Sequence, residues 1–129
     1  MNLSAPVKHT DYTTYLKSIE WKQKKFEWLD SGRPSCCWVC EEPMSYFNHK
    51  GFNFHHKTYA NLFNESLDDL VLLCRTHHRD LEAVLKQLKE FGETVENWTW
   101  KFIAQERFAL GMKPIKDSVI ARWIGECNE

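Results

Sequence analysis

The 129-residue chain has no apolar run long enough to span a bilayer. Its beginning, Met1 to Tyr12, lacks the apolar core of a signal peptide. Both absences point to an intracellular, cytoplasmic protein with no membrane partner. The chain also lacks an excess of positive charge, with 17 Lys and Arg against 18 Asp and Glu and a net charge of −1. A partner with a phosphate backbone must then be held by a local patch rather than by the whole surface. Internal repeats, low-complexity segments and long linkers are absent too, so residues 1–129 read as a single domain.

Hydrophobic residues make up 43% of the chain and aromatics 14%, with six Trp, enough for a core with several buried rings. The densest basic stretch runs from Lys17 to Lys25, where Lys17, Lys22, Lys24 and Lys25 face one acid, Glu20. It is either a solvated helix face or the patch that meets phosphates. There are five Cys, and in a reducing compartment they read as metal ligands rather than disulfides.

Residues 12–30 read as one or two helical pieces. Ser18 is the N-cap, Glu20 lies in the first turn, and Trp21, Trp28 and Leu29 share a face. Ser31-Gly32-Arg33-Pro34 stops the helix. Phe52-Asn53-Phe54-His55 alternates apolar and polar, as a short strand does. Leu70 to Leu73 is a buried apolar run leading into Cys74, and a helix is expected from Thr76 as its N-cap. Leu81, Val84, Leu85 and Leu88 form the stripe of that helix, Glu82 and Lys86 pair along it, and Gly92 ends it. A further helix is capped by Thr94, with Trp98, Phe102 and Ala109 on one face, Ile103 and Phe108 widening it, and Gly111 as its stop. Pro114 and Asp117 introduce a last helix with Val119, Ile120, Trp123 and Ile124 apolar.

The Cys and His spacing carries the chemistry. Cys37-Trp-Val-Cys40 is a knuckle that sets two thiolates side by side, and Cys74 with His77 supplies a second pair. Together they make a closed structural zinc site stapling two segments that are far apart in sequence. Cys36 is an alternative to Cys37, and Cys36 and Cys127 are otherwise spare thiols. His55, His56 and His78 are not needed by that zinc. On a helix His78 and Glu82 are i and i+4 and face the same way, so they suit a second, open metal. His55 and His56 are neighbours on an extended strand and point to different sides. They suit two tasks, one binding metal and the other handling a proton.

The run His55-His56-Lys57-Thr58-Tyr59, then Asn64-Glu65, then Asp69 through His78 resembles the HNH endonucleases, most of all their small zinc-bearing, phage-type members. Tyr15 to Lys22 is similar to the helix that opens many of them, and the resemblance covers roughly residues 15–82. It implies an α+β, mostly helical fold. A ββα-metal core at about 15–91 would be stapled by Zn²⁺, with a helical extension at about 92–129. It further implies cleavage of DNA phosphodiester bonds with a divalent ion, Mg²⁺ or Mn²⁺, with Ni²⁺ or Zn²⁺ as alternatives. By position His56 is then the general base, and His55 and His78, with Glu82, hold the catalytic ion. Asp69 stands where the family often has Asn, orienting the base or touching the metal. His77 stands in place of a fourth zinc Cys. Lys22, Lys24, Lys25 and Lys57 would contact phosphates. The competing expectation is a non-catalytic zinc module that binds nucleic acid or protein. Another makes residues 94–129 a docking unit within a larger machine such as a phage packaging complex.

Overall fold

The computed structural model describes residues 11–88 and 95–123. Their elements are α1 (Tyr12–Leu16), α2 (Ile19–Asp30), β1 (Phe52–His56), β2 (Leu70–Cys74), α3 (Arg75–Leu88) and α4 (Val95–Ala109). The fold is α+β, about half helical, with one two-stranded antiparallel sheet. Gly92, Thr94, Ile124 and Cys127 lie outside the described residues.

Ser18 caps α2 as the sequence predicts, its hydroxyl accepting the Trp21 N–H, one of the four donors a helix start leaves without partners. Gly32, at φ 83°, turns the chain out of the helix, a conformation that costs a residue without Cβ little. Trp28 is buried and its indole N–H donates to the Pro34 carbonyl at 3.2 Å, which holds the turn against the helix.

β1 and β2 pair with His55 opposite Val71 and His56 opposite Leu70. Side chains alternate along β1. Phe54 and His56 meet α2, where the Trp21 ring touches both. His55 points the other way, toward α3 and α4. The sheet is thus packed between α2 on one face and α3 with α4 on the other. All five residues of β2 are buried, which is why that strand is an unbroken apolar run.

Three helix expectations are corrected. α3 begins at Arg75, so Thr76 lies inside its first turn and is not the N-cap, because β2 runs straight into the helix with no connecting residue. On α4, Phe102 and Ile103 enter the core, but Phe108 is 86% exposed and Ala109 is also exposed. The buried place there belongs to Arg107. Its guanidinium donates to the carbonyls of Trp38 (3.0 Å) and Lys113 (2.8 Å) and to the Glu41 carboxylate (2.8 Å). Past Gly111 (φ 74°), where α4 closes with Met112 N–H on the Arg107 carbonyl, there is no α-helix among the described residues. Two single 3₁₀ turns, Ile115–Asp117 and Ala121–Trp123, replace it. The Ser118 hydroxyl donates to the Ile115 carbonyl and accepts the Ile120 N–H, satisfying backbone groups that a continuing helix would have used. Ile120 is buried and Val119 exposed.

One hydrophobic cluster joins Trp28, Trp38, the strands and Leu81 to Phe102, Ile103 and Ile120. The C-terminal segment therefore shares its core with the hairpin.

Candidate metal centres

The knuckle forms because its backbone closes on itself. Cys37 N–H donates to the Glu42 carbonyl (2.9 Å) and Glu41 N–H to the Cys37 carbonyl (2.7 Å), with Glu41 at φ 61°. Trp38 N–H donates to Leu72 of β2 at 2.9 Å, which fixes the knuckle to the strand that ends in Cys74. His77 follows in the first turn of α3. The four ligand atoms of Cys37, Cys40, Cys74 and His77 lie within 4.8 Å of one another. His77 Nδ1 is 3.2 Å from Cys74 Sγ and 3.8 Å from Cys37 Sγ. A tetrahedral zinc with ordinary bond lengths sets its sulfur and nitrogen ligands about 3.6 Å apart, midway between those distances. Burial pushes the Cys37 thiol up to about 12, and a cation among the sulfurs reverses that by stabilising thiolates. This buried Cys₃His group can hold a metal such as zinc. Cys36 is not in it: its backbone bridges Pro43, and burial pushes its thiol up to about 11. The alternative left open by spacing is thereby closed in favour of Cys37.

A second group gathers His55 from β1 with His78 and Glu82 from α3, ligand atoms again within 4.8 Å. Glu82 Oε2 is 3.0 Å from His55 Nδ1 and 3.7 Å from His78 Nε2. Neighbouring ligands around an octahedral ion at ordinary magnesium distances stand about 3.0 Å apart, and around a tetrahedral one slightly more, so the group could hold a single ion. The centre is open on one side: His55 is buried, but the His78 and Glu82 side chains are 26% and 51% exposed. Three ligands with an open position is the layout of a site that also takes water or substrate. The His55 hydrogen bond holds the Glu82 carboxyl below its ordinary range, and burial lowers His78.

His56 stands beside this group and outside it. Its ring lies between Trp21 (centroids 5.1 Å apart, planes 8°) and Tyr59 (5.0 Å, 20°). Nε2 is 2.6 Å from Glu65, whose other carboxylate oxygen accepts the Tyr15 hydroxyl at 2.5 Å. Burial lowers His56 and outweighs the raising effect of Glu65, so the ring is neutral at neutral pH. Burial alone would raise Glu65, but the bonds from Tyr15 and His56 outweigh it and the carboxylate stays ionised. A carboxylate only accepts, so Nε2 carries the proton and Nδ1 keeps its lone pair. Nδ1 faces the Tyr12 hydroxyl at 3.5 Å.

The Asp69 carboxylate does not reach His56 or either metal group. It accepts Ser66 N–H and the Asn61 amide, each at 3.0 Å, in a capping box that starts a 3₁₀ turn. The orienting carboxylate is Glu65, nine residues from His56. Its position in the quoted Asn64-Glu65 pair is the only hint in the sequence. Thr99 of α4, 2.9 Å from His55 Nε2, left no hint there.

A cavity of about 620 Å³ borders both histidines, Tyr12, His78 and Glu82, and extends to Lys22, Lys25 and Lys50. Of the expected phosphate contacts, Lys22 is exposed on this rim. Lys25 Nζ donates to the His49 carbonyl (2.8 Å) and Lys24 Nζ to the Glu65 carbonyl (3.2 Å). Lys57 is only 7% exposed, its ammonium 5.4 Å above the Trp100 ring; it is a core cation, not a surface one. Lys50 was not anticipated. No helix among the described residues is long and apolar enough to cross a membrane. No protein-family model, curated protein or solved structure matches the chain.

Proposed function

We propose that the chain is a divalent-metal-dependent endonuclease of the HNH kind that hydrolyses DNA phosphodiester bonds, with zinc in the Cys₃His group as a structural staple. The observation that supports this most is the convergence of His55, His78 and Glu82 on an open cavity that also borders a neutral histidine. A divalent ion held there would neutralise charge on the phosphate and the departing oxygen; Glu82, a hard ligand, favours Mg²⁺ or Mn²⁺.

The remaining work falls to the chain's own groups. His56 takes the proton of the attacking water at Nδ1, because Glu65 keeps the other proton on Nε2. Trp21 and Tyr59 hold the ring plane so that Nδ1 points at the place now filled by the Tyr12 hydroxyl. Tyr12 is 39% exposed on a five-residue helix, so substrate displaces it at small cost. Lys22 and Lys50 on the rim contact neighbouring phosphates, which position the strand without reading its sequence.

The cover of Tyr12 over His56 favours the second reading, a zinc module that binds without cutting. Plasmid nicking with Mg²⁺, Mn²⁺ or Ni²⁺ against EDTA separates the two. The wild type should nick with metal only, and His56→Ala should not nick while keeping its zinc. Cleavage by His56→Ala at the wild-type rate removes His56 from the mechanism, and no metal-dependent nicking at all leaves the binding module.

A further inference from the structure

We propose that Thr99, on the C-terminal helix α4, is a positioning residue of the open metal centre. It would fix His55 so that Nδ1, and not Nε2, faces the ion. This rests on reading His55, His78 and Glu82 as a metal site.

The two nitrogens of His55 have different partners. Nδ1 lies 3.0 Å from Glu82 within the ligand group, and Nε2 lies 2.9 Å from Thr99 Oγ1. His55 is 2% exposed and Thr99 fully buried, so no water substitutes for the Nε2 contact without room being made. A ring that gives the Nδ1 lone pair to a metal must carry its proton on Nε2, and that N–H needs an acceptor when buried. The Thr99 hydroxyl can accept and still donate its own proton elsewhere. A hydroxyl can therefore partner the buried Nε2 when that nitrogen carries the proton.

α4, which carries the hydroxyl, is fixed from the other metal group. Arg107 ties it to the Trp38 carbonyl and to Glu41 in the cysteine knuckle. Trp100 stacks on Trp38 at 5.8 Å, and Phe102 and Ile103 sit in the core. A site on a rigid element keeps its geometry better than one on a loop. The helix lies beyond the segment that carries the ligands, contributes none itself, and is nevertheless part of the centre. It also connects the two metal groups physically, through Arg107 at one end and Thr99 toward the other.

The test is Mn²⁺ binding by calorimetry to the full chain with its cysteine site already zinc-loaded, for wild type, Thr99→Val and Thr99→Ser. Wild type should take up one Mn²⁺. Thr99→Val, nearly identical in shape, should bind it about 10- to 100-fold more weakly, with zinc content unchanged and a thermal midpoint lowered by the buried His55 nitrogen it leaves without a partner. Thr99→Ser should restore affinity to near wild type. A merely structural threonine would move the midpoint and leave Mn²⁺ affinity alone. Equal Mn²⁺ affinity in wild type and Thr99→Val overturns the role of Thr99 while leaving the metal centre standing. Absence of Mn²⁺ uptake by wild type overturns both. Should Thr99→Val not fold, Thr99→Ser and Thr99→Ala decide: the first must bind as wild type and the second must not, and equal affinities overturn the proposal.

Discussion

Replacing Glu65 with Leu removes the acceptor shared by two buried donors, the His56 Nε2–H at 2.6 Å and the Tyr15 hydroxyl at 2.5 Å. The side chains of His56 and Glu65 are 1% and 0% exposed, and Tyr15 is 1% exposed, so water does not take over. A buried donor left without a partner costs about 1–3 kcal/mol. Two of them give about 2–6 kcal/mol. The better packing of Leu offsets only part of this, since the site is shaped for a carboxylate. We therefore expect Glu65→Leu to lose about 2–5 kcal/mol, a large share of a typical folding stability of about 5–15 kcal/mol. Glu65→Gln keeps one acceptor oxygen and should lose about half as much. Urea denaturation of the zinc-loaded protein, followed by Trp fluorescence, measures it. With a slope of about 1.5 kcal/mol per molar, the midpoint of Glu65→Leu should fall by about 1–3 M. Trp21 is a suitable reporter because His56 stacks on it. A loss below about 1 kcal/mol with zinc content unchanged would refute the reasoning, because the two donors would then have found other partners.

Cys40→Ala should lose the stoichiometric zinc and the far-ultraviolet signal of the native fold together, because a structural metal is coupled to folding; metal analysis and circular dichroism check it, and a folded zinc-free variant speaks against the staple. Lys57→Ala should lower stability and leave DNA affinity unchanged, its ammonium being held over Trp100 inside the protein. Lys22→Ala should instead weaken DNA binding and reduce the slope of log affinity against log salt by about 1, as measured by fluorescence anisotropy. Stability should fall on acidification in two stages. His56 and His78 have lowered folded values, so their contribution is complete above an unfolded value of about 6.5 and is lost as pH falls through the folded ones. Glu65 and Glu82 are also lowered, so their contribution is complete above about 4.3 and is lost below it. Denaturation midpoints from pH 8 to 3 check the order; His56→Ala should shrink the first stage to the His78 part and also shrink the second, because His56 helps hold the Glu65 carboxyl low.

Several features are legible in the sequence because they depend on neighbours along the chain. The cap at Ser18 follows from a hydroxyl three residues before the Trp21 N–H. The stripe of α3 follows from helical period, and the strand at Phe52–His56 from alternation. Each half of the Cys₃His group follows from Cys-x-x-Cys or Cys-x-x-His spacing, where three-residue separations bring two donor atoms together by local geometry; the halves meet only through the packing of the knuckle on β2. The split of His55 and His56 is of the same kind, since adjacent strand residues must face opposite ways. Their later partners are not local. Choosing Cys37 over Cys36 needed the knuckle's contact with Leu72 of β2. Lys57 reads as a surface cation along the chain but lies under Trp100, and Phe108 reads as core but Arg107 takes the buried place.

The sequence by itself determined which residues can ligate a metal and which elements carry them, because backbone periodicity and short spacings act within a few residues. Only the tertiary structure decided what completes each histidine. Asp69 was the expected partner of His56 by position, but its carboxylate is consumed by its own turn, and Glu65 reaches the ring through a loop. Thr99 reaches His55 across 44 residues. A buried hydrogen bond is satisfied by whichever group the packing delivers to within 3 Å, and that is set by how α2, the hairpin, α3 and α4 pack together, not by distance along the chain.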